Sequence, residues 1–265
     1  MKKIISLITV LLLVLIILTG CSAEDNKVTL TANTAKNKVK ETTNKVEEQI
    51  EQEKEDVDVR NFDFKAAAEK QMKMPEEGEQ IAIMHIKNYG DVYMKFFPEV
   101  APKAVENFVK HSKDGYYNGL TFHRVINEFM IQGGDPKGNG TGGESIWGSG
   151  FGTELDYSLV PYRGSLCMAM SSLPNSIGSQ FFITQANYNE MMGQTLQTYG
   201  YPTGLLDQYK THGGYLSLYL QYTVFGQVYQ GMDIVDKIAG VQTDSNDKPN
   251  QDVIIESIEI TTYKK

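Results

Sequence analysis

The chain is poor in the features that most quickly narrow a protein's chemistry. It has two cysteines in 265 residues, Cys21 and Cys167, and the second sits inside the apolar run 166–170. A disulfide framework is thereby excluded, and a domain without one must rest on its hydrophobic core. Cys167 reads as a small buried hydrophobe, because a nucleophilic thiol wants a histidine partner and nothing in the sequence places one. There is no basic excess either. A formal net charge of -8 argues against nucleic acid, which needs concentrated positive surface. The histidines show no metal-ligand spacing, so no metal is expected. The glycine run Lys137-Gly138-Asn139-Gly140-Thr141-Gly142-Gly143 lacks the Gly-Lys-Ser/Thr ending of a phosphate cradle and reads as a loop beside a binding groove. No cofactor is called for. Arginine is scarce: three residues, Arg60, Arg124 and Arg163, in a total of 25 Lys and Arg. A planar donor fork is what lysine cannot supply. Taken alone, however, Arg124 reads as a surface cation whose stem covers apolar area.

Residues 22–60 contain no aromatic, no proline and no glycine, and are dense in Lys, Glu, Asp, Asn and Thr. Such a segment cannot bury enough to fold compactly. It reads as a solvated tether, with a sparse near-heptad stripe at Val28, Ala35, Val39, Val46, Ile50 and Val57 as the argument for a helical stalk. Before it, Met1-Lys2-Lys3 and the apolar run 4–18 form a secretory signal, too short for a stable spanning helix. The ending Leu18-Thr19-Gly20-Cys21 resembles the lipobox of bacterial lipoproteins, which implies diacylation of Cys21 and an extracytoplasmic, lipid-anchored location at the cell membrane. The expected organisation is a signal peptide over 1–20, the lipidated cysteine and charged tether over 21–78, and one folded domain over 79–263.

Within the folded part, which this reading starts near Gln80, apolar alternation predicts strands. The runs 81–87 and 92–97 flank the turn Asn88-Tyr89-Gly90-Asp91 and make a hairpin. A helix opening at Pro98 to Pro102 has Ala101, Ala104, Val105, Phe108 and Val109 on one face. Two short strands, 120–126 and 129–131, meet at Asn127-Glu128. A period of two sets His123 and Val125 on one side and Arg124 on the other. Further strands are predicted at 166–170, 180–184, 223–228 and 254–260, with a second helix at 232–239. About eight short, mostly neighbouring strands and two helices imply a mainly β fold, a closed antiparallel eight-stranded barrel capped by the two helices. Between Ala186 and Ser217 the breakers Gly200, Pro202, Gly204, Gly213 and Gly214 mark an elaboration, with a helix at 205–210.

The stretches FHRVINEFMIQGGDP, GTGGESIWG, LCMAM, GSQFFIT and YTVFGQVYQGMDIVDKIA, in that order and spacing, resemble the cyclophilin-type peptidyl-prolyl cis-trans isomerases. The resemblance covers 80–262. With the lipobox and the long segment before Tyr222 it is similar to the lipoprotein cyclophilins of Gram-positive bacteria. It implies that Arg124 is catalytic and that Phe129, Met130, Gln132, Ala169, Gln180, Phe182, Leu218 and Tyr222 bind substrate. It also implies that the partners are proline-containing segments of exported proteins. His123 and Phe181 read as structural, and Trp147 as packed beside the glycine loop. The chain departs from the family at Met170 and over Ser217-Leu218-Tyr219-Leu220, where a flat aromatic of the pocket rim is missing. A second reading remains at this point: a surface-anchored peptide-binding chaperone or adhesin using the same groove without turnover.

Overall fold

Alternation of apolar and polar residues gives the sheet. The computed structural model describes residues 59–265, and the expected signal peptide, the lipidated Cys21 and most of the tether lie outside them. Strands β1 (Gln80–Ile86) and β2 (Gly90–Phe96) pair antiparallel about a three-residue turn in which Asn88 takes φ 66°. The ribbon β3 (Arg124–Ile126) and β4 (Met130–Gly133) turns through Glu128 at φ 55°. β5 (Ser165–Met168), β6 (Phe181–Thr184), β7 (Val224–Gln230) and β8 (Ile255–Thr262) complete one sheet. Its order is β3-β4-β6-β5-β7-β2-β1-β8, antiparallel throughout.

The sheet is a curled half-barrel, and the closed barrel expected from the sequence is not formed. No ladder joins the edge strands β3 and β8. The seam is crossed instead by single hydrogen bonds, Gly119 N–H to Ile255 O, Phe122 N–H to Val253 O and Val125 N–H to Asp247 O, and by an isolated bridge between Thr121 and Ile254. The reason is local. β3 has three residues, and the chain opposite it is occupied by a tight turn in which Asp244 N–H donates to Lys248 O, so neither side is long enough for a ladder.

Two helices cover the main core as expected. Helix α2 (Pro102–Lys113) begins on a proline, whose missing N–H costs nothing at a first turn, and its free Lys103 and Ala104 amides donate to the Glu154 carboxylate. It buries Ala104, Val105, Phe108 and Val109. Phe108 sits amid Tyr117, Phe181 and Phe225, at centroid distances of 5.2, 5.2 and 5.3 Å. Helix α5 (Met232–Ala239) contributes Val235 and Ile238 to the same core.

Three further helices stand outside the two expected to cap the sheet, and one of them, in the elaboration, was expected at 205–210. Helix α1 (Phe64–Met72), capped by the Asp63 carboxylate on Ala66 N–H, packs onto the domain well before Gln80. Helices α3 (Glu190–Thr198) and α4 (Thr203–His212) form the elaboration after β6. Together with Tyr219 from the segment before β7, the three build a second, smaller core from Phe64, Ala68, Leu196, Leu205 and Tyr209. At the end of α1, buried Lys95 donates through Nζ to the carbonyls of Lys70 and Lys73, as a cation should at a helix C-terminus. Burial pulls the Lys95 ammonium below its ordinary value. Among the described residues no helix is long and apolar enough to cross a membrane.

Candidate active site

Strand register assembles the site. Arg124 on β3 pairs with Gln132 on β4, Gln132 with Phe182 on β6, and Phe182 with Cys167 on β5. Residues directly opposite across an antiparallel sheet project on the same side, so this row carries a cation, an amide, a ring and a buried thiol in sequence. Alternation sends the neighbours the other way: Val125, Ile131 and Phe181 belong to the main core. A second apolar cluster gathers on the row's side, with Met130, Phe182, Cys167 and Val224 buried and Phe129, Ala169, Leu218 and Tyr222 packed against them.

Above this cluster opens a cavity of about 600 Å³ lined by Arg124, Phe129, Met130, Gln132, Ala169 and Phe182, and also by Leu218 and Tyr222. Eight of the nine residues expected at the site therefore line one cavity. The ninth, Gln180, ties the cavity together from behind: it accepts from Gln132 Nε2 at 2.9 Å and donates to the carbonyls of Gly140 and Gly142 at 3.1 and 2.7 Å. Its backbone carbonyl receives Ala169 N–H at 3.0 Å. The Tyr222 ring meets Phe182 edge-on at 5.5 Å. Cys21 lies outside the described residues.

The glycine loop takes the place the sequence gave it, with Gly138, Asn139 and Gly140 lining the cavity. Asp135 holds the loop by accepting the N–H groups of Lys137, Asn139 and Gly140. Burial pushes its carboxyl up, but the backbone donors outweigh this and leave it below the usual value. Gly134, at φ 84°, brings the loop against β6: a Cβ there would lie 2.6 Å from Ser179 O. His123 is buried, and burial keeps its imidazole below the ordinary value, partly offset by Asp135. The His123 ring borders the same cavity, whereas Phe181 packs in the main core as expected. Trp147 stands edge-on to Phe151 at 5.4 Å and remains 45% exposed. Cys167 is fully buried, and burial pushes its thiol far up, which removes it from thiolate chemistry.

Sequence reasoning missed one side of the cavity. Asp244, Asn246 and Lys248 line it from the turn before β8, and Asp247 Oδ2 lies 3.4 Å from Arg124 Nε. Both side chains are about two-fifths exposed, so the contact orients the guanidinium more than it stabilises the fold. Tyr215, at the end of the elaboration, lies against Phe129 with centroids 4.3 Å apart. The only sequence signal for the turn is the polar run TDSNDK, which says nothing about what it faces.

Comparison with known proteins agrees with this geometry. The family model described as cyclophilin type peptidyl-prolyl cis-trans isomerase matches residues 81–260. A protein of Staphylococcus aureus (strain USA300) named "Putative peptidyl-prolyl cis-trans isomerase" is 48% identical over 187 residues, 70% of this chain and 93% of that one. The protein of that name from Staphylococcus epidermidis is 47% identical over 186 residues, again 70% of this chain and 93% of the relative. The crystal structure of a Cryptosporidium parvum cyclophilin type isomerase superposes with a TM-score of 0.57 at 33% identity, covering 70% of this chain and 99% of that one. The same isomerase crystallised in the presence of the dipeptide Ala-Pro gives 0.57 at 34% identity, covering 69% and 99%. With its family model matched from β1 to β8, the chain belongs to the cyclophilin-type peptidyl-prolyl cis-trans isomerases.

Proposed function

We propose that Arg124 is the catalytic donor of this isomerase and that the protein works on X-Pro bonds of exported proteins at the outer face of the membrane, to which Cys21 anchors it. The observation that carries the first part is the row Arg124, Gln132, Phe182, which lines a cavity over the apolar cluster of Met130, Phe182 and Leu218. An X-Pro bond turns slowly because delocalisation of the nitrogen lone pair raises a barrier of roughly 18 to 20 kcal/mol. A fixed cation directed at the prolyl nitrogen as it pyramidalises stabilises the twisted state more than either planar one, and such differential stabilisation is what accelerates a reaction. Phe129, Met130, Phe182 and Leu218 hold the ring while the acyl side rotates. Gln132, itself fixed by Gln180 and the glycine loop, offers an amide beside the guanidinium. About five powers of ten in rate need roughly 7 kcal/mol, which such a site supplies without covalent chemistry.

A protease-coupled assay on X-Pro peptides tests the pocket. Phe182→Ala is expected to raise KM and lower kcat/KM by about tenfold or more, since one buried ring contact is worth roughly 1.5 to 3 kcal/mol. Unchanged KM in a folded variant would take Phe182 out of the proline-ring pocket.

The anchor rests on the basic start, the apolar run and the Leu-Thr-Gly-Cys ending. Acyl chains contribute about 0.8 kcal/mol per buried CH₂ to membrane affinity. Cys21→Ala is expected to abolish processing at that position and to release the protein from the membrane fraction. Fractionation identical to wild type would overturn the lipid anchor.

A further inference from the structure

We infer that a second cleft, on the elaboration after β6, is a capture site for an apolar side chain of the same polypeptide whose X-Pro bond occupies the catalytic cavity; the inference rests on the peptide-binding reading of that cavity. The cleft has a volume of about 570 Å³. It is lined by Met191, Met192, Leu196, Tyr199 and Tyr201, together with Ser217 and Gln221 from the segment before β7.

Helical spacing explains the lining. Met192 and Leu196, one turn apart on α3, face the second core, while Met191, Thr195 and Tyr199 follow at the same spacing in a neighbouring stripe. The inner stripe is already used in packing, with Leu196 buried. The outer one is not, since Met191 is 78% and Tyr199 77% exposed. Two large apolar groups left in water beside a concave surface mark a binding site better than scattered surface residues do. Methionine adapts its shape to different side chains, and tyrosine offers a ring with a polar tip. That combination suits an occupant of variable sequence.

Continuity with the catalytic cavity identifies the occupant. Leu218 and Tyr222 line that cavity, and their immediate neighbours Ser217 and Gln221 line the cleft. The shared wall is held by Leu218 N–H to Tyr215 O, Tyr222 N–H to Leu218 O, and Gln221 Nε2 to Ser217 O at 3.0, 3.2 and 2.8 Å. The two openings thus share one turn of chain in their lining, and an extended peptide advancing roughly 3.3 Å per residue can reach from one to the other. Charge separates their tasks. Arg124, Asp244 and Lys248 line the catalytic cavity, whereas the cleft is lined by no Lys, Arg, Asp or Glu. Without a cation the cleft is poorly suited to an anionic lipid surface, where basic residues supply much of the attraction. It fits an unfolded, apolar stretch of a client.

The test uses the full-length chain and two kinds of substrate. One is a short Ala-Pro tetrapeptide; the other is a series of longer peptides with one Phe placed roughly two to eight residues to either side of the proline, each with a Ser counterpart. Wild type is expected to prefer the Phe peptide at one spacing by about tenfold in kcat/KM, through KM, as burial of one large side chain predicts. The double variant Met191→Ser, Tyr199→Ser should lose that preference and retain wild-type turnover on the tetrapeptide. No preference at any spacing, or one that survives in the double variant, overturns the inference. So does a concentration-dependent dimer, or binding to phosphatidylglycerol vesicles, that the double variant abolishes, since the cleft then serves a second copy or a lipid surface. A wild-type chain inert on the tetrapeptide would fail at the catalytic cavity itself, and the inference would fall with it.

Discussion

Arg124→Ala is expected to lower kcat/KM on X-Pro peptides by about a hundred- to thousandfold, the usual cost of removing one preorganised donor, or roughly 3 to 4 kcal/mol. The fold should survive. Arg124 stands on a short edge strand, is about two-fifths exposed, and makes its ion pair with Asp247 at 3.4 Å on the solvent side, so truncation should change stability by about 0.5 kcal/mol or less. Arg124→Lys is the sharper variant. It keeps the charge but not the planar fork, and one ammonium cannot both face Asp247 and present a fixed donor to the cavity. Its turnover should therefore fall nearly as far as that of the alanine variant. Circular dichroism and a thermal melt establish folding, and the protease-coupled assay reads turnover. A folded Arg124→Ala protein with near wild-type kcat/KM would remove Arg124 from the chemistry and leave the row as a peptide-binding edge.

Strands and main-core helices were legible because their signal is periodic. Alternation placed β1, β2, β6 and β7 within about two residues of their observed limits, and the Met232–Ala239 helix came out at its full length. Closure was not legible. Whether a sheet becomes a barrel depends on the lengths of its edge strands and on what faces them. Here the seam opposes a three-residue β3 to the turn before β8, and nothing in either segment's pattern reports the other.

The site divides in the same way. A period of two separates Arg124, Met130 and Gln132 from Val125 and Ile131, so the groove-facing set on the ribbon could be read from residues alone. Its roles came from the motif resemblance. Asp247, 123 positions from Arg124 along the chain, could not be found, because a polar turn gives no periodicity to follow. The elaboration was recognised by its breakers, but helix α3 within it was not: Gly193, which was not among those breakers, lies inside that helix, where a Cβ would come within 2.7 Å of Tyr188 Oη. It is there for close packing. Helix α1 was missed because it directly follows the charged run 22–60 and three of its five apolar residues are alanines, and its most telling buried group is an amide.

That amide carries the largest expected effect on stability. Gln71 is 1% exposed and treats Val160 as a neighbouring strand would. Its Oε1 accepts Val160 N–H at 3.0 Å, and its Nε2 donates to Val160 O at 2.7 Å, with Ser165 Oγ and Gln227 Oε1 also within 3.2 Å. Ser165 Oγ also donates to Val160 O, so the carbonyl keeps a partner when Gln71 is lost; the N–H has no other among the described residues. Gln71→Ala should cost about 2 to 4 kcal/mol, from an orphaned buried donor at roughly 1 to 3 and the side chain's lost packing. For a domain of this size that is a fall of roughly 5–10 °C in melting temperature. Gln71→Met, which keeps the volume and loses the hydrogen bonds, should fall nearly as far. Loosening should start at α1 and travel through Phe64, whose ring meets Tyr219 at 6.3 Å, into the turn that carries Leu218 and Tyr222. Hydrogen exchange should then lose protection over 64–72 and 203–212 before β1 and β2, with KM for X-Pro peptides rising severalfold. A melting temperature within about 1 °C of wild type, with unchanged protection over 64–72, would show that α1 is held by Phe64 and Ala68 alone and that the buried amide is dispensable.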